Sequence, residues 1–209
     1  MKKIISILLI IAMFVCLMTG CSKNDPKELP SVWYAQVDIA DNVNVLLEAM
    51  LGTSAYQVKD LNVTLELNLK NDGLYLLEAN SRSVSLAFGS MMLQIEEILT
   101  QNIEGSMSDE EVILSAEEYL NMSGTTMEET MEELAIALEE AGLVDEIVFS
   151  TTSQSSWFAD EQKLTFGATE FSYKLKGDEL TISGGNGDDP ALLALPSPLT
   201  FSKTAPVIE

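Results

Sequence analysis

The stretch Leu61-Asn-Val-Thr-Leu-Glu-Leu-Asn-Leu69 constrains this chain more than any other. Leu61, Val63, Leu65, Leu67 and Leu69 alternate strictly with polar residues, and a period of two puts all five on one face of an extended strand. Asn62, Thr64, Glu66 and Asn68 are then expected in water. Asn71-Asp72-Gly73 follows, and Asp-Gly between apolar runs signals a hairpin because both residues tolerate positive φ. The return strand is expected from Leu74 to Ala79. A strand with one apolar face commits its chain to a sheet that must cover that face.

Other segments extend the pattern. Between Ser31 and Ile39, Trp33, Ala35, Val37 and Ile39 share a face. Asp41 is expected to cap a helix with Val43, Leu46, Leu47 and Met50 along one side, ended by Gly52. Later strands are expected at 146–152, at 155–159 and 163–167 around Asp160-Glu161-Gln162, at 169–175 and 179–183 around Lys176-Gly177-Asp178, and at 199–203. Residues 184–198 read as a turn-rich loop. About eight short strands, mostly joined by hairpins, predict an α+β fold built on an antiparallel meander β-barrel.

Between the two strand groups the sequence changes character. The eighty residues from Ser83 to Gln162 contain no Lys or Arg and eighteen Asp or Glu. Val84, Ala87, Phe88, Met91, Ile95 and Leu99 fall at helical spacing up to the stop at Gly105. Capping boxes follow at Ser108/Glu111, Ser115/Glu118 and Thr126/Glu129. The last opens the strongest helix, whose apolar stripe is Met127, Met131, Leu134, Ala135, Leu138 and Ala141. Its paired glutamates read as a solvated face. Without histidine no Glu-x-x-His di-metal pattern can be built, and no segment has EF-hand spacing, so no metal or cofactor is expected.

The N-terminus reads Met1-Lys2-Lys3, then an apolar run from Ile4 to Met18. This is a secretory signal pattern, short of the ~20 apolar residues that span a bilayer. Thr19-Gly20-Cys21 resembles the lipobox of bacterial lipoproteins. The resemblance implies that residues 1–20 are removed, that Cys21 carries a lipid, that 21–30 is a polar tether, and that the protein sits at the extracytoplasmic face of the cell membrane. Cys16 would leave with the signal and Cys21 would be consumed, leaving no disulfide and no reactive thiolate. Absence of histidine also removes the usual general base, and no Gly-x-Ser-x-Gly elbow is present, so no enzyme is expected. Loss of Lys2 and Lys3 would move the formal charge from −22 to −24, which disfavours nucleic acid as a partner.

Aromatic residues concentrate in the expected strands: Trp33, Tyr75, Phe149, Trp157, Phe158, Phe166, Phe171, Tyr173 and Phe201. Inward aromatics either fill a small barrel or hold one apolar ligand. Trp33 in the first strand, and the late hairpin with Tyr173, Leu175, Gly177, Asp178, Leu180 and Ile182, resemble small lipocalin-like lipoproteins of Gram-positive bacteria. Ser31 stands where those proteins place glycine. The only arginine, Arg82, is not on the last strand, where they place one over the tryptophan. The resemblance implies a barrel of residues 31–80 and 145–205, interrupted by a helical insertion at 81–144, that binds a small apolar ligand without catalysis. Candidate ligand contacts are Trp33, Tyr75, Trp157, Phe171 and Tyr173. The alternative is an interaction module that docks an envelope protein on Met127, Met131, Leu134 and Leu138.

Overall fold

Alternation at 61–69 becomes a strand, Asn62–Leu69, in the computed structural model, which describes residues 24–106 and 115–208. Cys21 and the Ser108/Glu111 capping box lie outside the described residues. Eight strands close into an antiparallel barrel in sequence order: β1 (Ser31–Asp38), β2 (Asn62–Leu69), β3 (Leu74–Ala79), β4 (Ser153–Ala159), β5 (Lys163–Phe166), β6 (Thr169–Lys176), β7 (Glu179–Asn186) and β8 (Leu199–Ser202). β8 closes on β1, with Tyr34 opposite Ser202, so the sheet has no terminal edge strand. Register follows the alternation: Trp33 lies opposite Leu67, and Val37 opposite Val63.

Up-and-down order sends alternate connections to opposite ends. One end, the hairpin end, carries the β2–β3, β4–β5 and β6–β7 turns and the entry to β1. The chain leaves β8 at this end too, and the other, the helical end, carries the remaining connections. There α1 (Ala40–Leu51) joins β1 to β2. Between β3 and β4 come α2 (Ser81–Ser106), α3 (Ala116–Met122), α4 (Met127–Glu140) and α5 (Leu143–Ser150), and α6 (Pro190–Leu193) lies between β7 and β8.

A single apolar cluster runs through both parts. Barrel residues such as Trp33, Leu65, Leu67, Phe166, Leu180 and Phe201 are continuous with Val84, Met91 and Ile95 of α2, Leu138 of α4 and Ile147 of α5. The stripe expected to dock a partner is engaged inside the chain. Leu138 is 1% exposed, and Met131 and Leu134 pack half-buried against the same cluster, while Met127 is half-buried too. Most of the helical carboxylates face water, as the periodicity predicted, alongside a few exposed apolar residues such as Leu93, Met122 and Ile136.

Four local expectations change, the first being that residues 184–198, expected as a loop, hold the end of β7 and α6. The expected strand at 146–152 is helix α5. Gly142, at φ +81°, ends α4, and Leu143 and Ile147, one turn apart and both buried, drive the next helix into the core. A short apolar run fits either period, and length alone did not separate them. Asp41 sits in the first turn of α1 rather than capping it. Asp38 takes the capping position in space, its Oδ1 accepting from Ala40 N at 2.9 Å and Leu61 N at 3.1 Å. Thr64, expected in water, is buried because α2 crosses the outer face of β2, and Ser83 Oγ accepts from Thr64 N at 2.9 Å.

Both described capping boxes form. Backbone and hydroxyl donors of Ser115 hold the Glu118 carboxyl below the usual carboxylate range, and the amides of Gln162 and Lys163 do the same for Asp160. Their folded pKa values lie under the unfolded ones, so what they contribute is present above roughly pH 4 and is lost as pH falls through the depressed values. Melting temperature is therefore expected to change little from pH 7.5 to about pH 5 and to fall below about pH 4. Scanning calorimetry across that range checks it; a monotonic fall from neutral pH would contradict it.

Candidate functional site at the mouth of the barrel

Two different jobs divide the five aromatic candidates. At the hairpin end, Trp33 is wholly buried and its Nε1–H donates to Leu29 O at 2.8 Å. Leu29, itself fully buried, sits in the segment leading into β1. The Lys203 ammonium lies 4.9 Å from the Trp33 ring centroid, a cation–π contact. Lys203, just past β8, thus supplies the cation that the lone arginine does not. Tyr173 donates its hydroxyl to Asp160 O at 2.7 Å, closing the β4–β5 turn over the same end. Burial lifts its phenol above the ordinary value, with the carboxylates of Asp160, Asp25 and Glu161 adding to the lift. Trp157 is half-buried and donates to Lys70 O at 3.0 Å. These three residues seal or brace the hairpin end.

Tyr75 and Phe171 gather elsewhere, around a ring not among the candidates. Phe166 lies 4.7 Å from Tyr75 and 6.0 Å from Phe171, centroid to centroid, in tilted and edge-on geometry. Above Phe166 and Tyr75 opens a cleft of about 570 Å³ at the helical end. Its walls come from the start of β4 (Gln154, Ser155), the β5–β6 turn (Gly167, Ala168) and the two caps of α6 (Asp189, Ala194), with Glu146 of α5 at the rim.

A buried polar chain holds that mouth in shape. Tyr75 hydroxyl meets Ser153 Oγ at 2.6 Å, and Ser153 donates to Asp189 Oδ2 at 2.6 Å. With the serine proton directed to the carboxylate, Tyr75 donates to Ser153. The other oxygen of Asp189 caps α6, accepting from Ala191 N and Leu192 N. Asp189 N in turn donates to the wholly buried Thr169 Oγ1 at 3.2 Å. Burial lifts the Tyr75 phenol above its ordinary value, and the Asp189 charge adds to that. A neutral phenol is therefore kept as donor to Ser153, which in turn donates to Asp189. Gly187 completes the frame: a Cβ there would fall 2.4 Å from Thr169 Cα, so only glycine lets β7 end against β6.

Sequence reading missed Phe166 as the centre of the cluster and Ser153–Asp189 as its brace. The one signal for the brace was Asp189-Pro190, an N-cap followed by proline at the first helical position. Among the described residues no three carboxylates come together closely enough to hold a metal ion, and no helix is long and apolar enough to cross a membrane.

Compared with known proteins, the chain matches no family model, no curated protein and no solved structure. Its class therefore rests on architecture. A closed, eight-stranded antiparallel meander with helices gathered at one end is an α+β fold of lipocalin-like type.

Proposed function

We propose that this protein is a non-enzymatic lipoprotein, held through Cys21 at the extracytoplasmic face of a cell membrane, whose barrel takes one small apolar ligand at its mouth. The observation that carries the ligand reading is an open cleft whose base reaches two nearly buried rings, Phe166 and Tyr75. Phe166 and Tyr75 line the cleft, while the barrel axis beneath is filled by Trp33, Leu65, Leu67 and Phe201. A flat apolar molecule in that cleft gains about 25 cal/mol for each Å² it removes from water. Commitment of the Tyr75 and Ser153 hydroxyls to each other and to the Asp189 carboxylate supports binding without catalysis. The Thr19-Gly20-Cys21 sequence supports the anchor.

Two measurements test the two halves. A neutral solvatochromic dye such as Nile red should bind saturably. Ala194→Trp, at an exposed wall of the cleft, should weaken it about tenfold, the loss of ~1.4 kcal/mol of contact, at unchanged melting temperature. Non-saturable binding, or indifference to Ala194→Trp, would remove the ligand reading. In a bacterial host, an alkyne-tagged fatty acid should label the protein, and Cys21→Ser should abolish the label. Labelling that survives would remove the anchor.

A further inference from the structure

From Asn24 onward the segment expected to be a polar tether is fastened to the barrel. Pro26–Glu28 form a 3-10 turn and Leu29 is fully buried. Ahead of them the Asn24 amide Nδ2 donates to Tyr173 O at 2.9 Å and Glu161 O at 3.0 Å, and its Oδ1 accepts from Leu175 N at 2.8 Å. Pairing of β5 with β6 stops at Lys163 opposite Ser172. Beyond that point Asn24 does for β6 what a neighbouring strand would do. Three peptide steps separate Asn24 from Cys21, so the two α-carbons lie within about 11 Å of each other.

Charge is divided along the same axis. Lys27, Lys70, Lys163, Lys174, Lys176 and Lys203 all belong to the hairpin end or to strand residues next to it, where Asp25, Glu28, Asp72, Asp160, Glu161, Asp178 and Glu179 nearly balance them. The helical end carries most of the remaining carboxylates against Lys59 and Arg82. An anionic bilayer repels that end and tolerates the other, and over a Debye length of about 8 Å only the nearest charges count.

We infer that the anchored protein stands on the bilayer with its hairpin end against the headgroups and its mouth facing away, and that Asn24 fixes this posture. The inference rests on the Cys21 anchor. The occupant of the hairpin end is a headgroup surface, and a ligand would reach the cleft from the aqueous side.

The test couples Cys21 of the 21–209 chain to a maleimide lipid in phosphatidylcholine–phosphatidylglycerol vesicles, so posture is read whether or not a cell lipidates the residue. A clickable amino acid carries a donor dye at Asn71, in the β2–β3 turn, or at Ser123, after α3, and headgroup-labelled lipid is the acceptor. Energy transfer should be several-fold stronger from 71 than from 123. Asn24→Ala and Asn24→Asp should each shrink that contrast while circular dichroism and melting stay close to those of the parent. Equal transfer from both positions, stronger transfer from 123, or a contrast untouched in both Asn24 variants would overturn the inference. Loss of fatty-acid labelling in cells would instead remove the anchor reading alone.

Discussion

Trp33→Ala is expected to destabilise the protein by about 3–5 kcal/mol, the usual cost of deleting a large aromatic from a core that cannot collapse. At this size of chain that is a fall in melting temperature of roughly 10 °C. Three losses combine. The indole is wholly buried, so its removal leaves a cavity at the hairpin end. Leu29 O loses its 2.8 Å donor and stays buried without one, and such an orphan costs about 1–3 kcal/mol by itself. Lys203 loses the ring beneath it. Trp33→Phe separates these effects. It keeps most of the volume and gives up the indole N–H, so about 1–2 kcal/mol is expected, chiefly the orphaned carbonyl. Urea unfolding of both variants checks the order. A Trp33→Ala protein within 1 kcal/mol of the parent would mean that the hairpin end is not closed by this residue, and would return Trp33 to the list of ligand contacts.

The barrel was legible because its signals are local. Five alternating apolar residues at 61–69, an Asp-Gly turn, and two late hairpins each announce a strand without reference to distant sequence. Partnerships between distant residues were not legible. Lys203 meets Trp33 because β8 closes on β1, and Asn24 meets Leu175 across most of the chain. Neither residue type nor spacing encodes such a meeting. Trp33 and Tyr75 both looked like inward aromatics, and both are. That one seals an end while the other lies at the base of an open cleft depends on which end each occupies in a tilted, staggered barrel, and a period of two cannot say. The 146–152 segment failed for a different reason. Val148 and Ile147 suit a strand by propensity, yet Gly142 resets the chain for a new helix, and the buried Leu143–Ile147 pair decides the matter through tertiary packing.

Leu138→Glu tests whether the acidic helices are a separate attachment or part of the fold. Leu138 lies on α4 at 1% exposure, in the same cluster as the barrel residues. Deleting a buried leucine already costs about 2–5 kcal/mol, and a carboxylate in its place must either enter an apolar site or stay protonated. The change is expected to exceed 4 kcal/mol, a large part of the roughly 5–15 kcal/mol that holds a domain together. Ile136, on the same helix but 48% exposed, is the control: Ile136→Glu should cost well under 1 kcal/mol. Because one cluster joins helices and barrel, unfolding of Leu138→Glu should remain a single transition at lower denaturant, followed equally by tryptophan fluorescence from Trp33 and Trp157 and by helical circular dichroism. Two separated transitions, with tryptophan unmoved, would show that the helical block melts on its own. A Leu138→Glu protein as stable as the parent would show that the stripe is free, and would restore it as a surface for a partner.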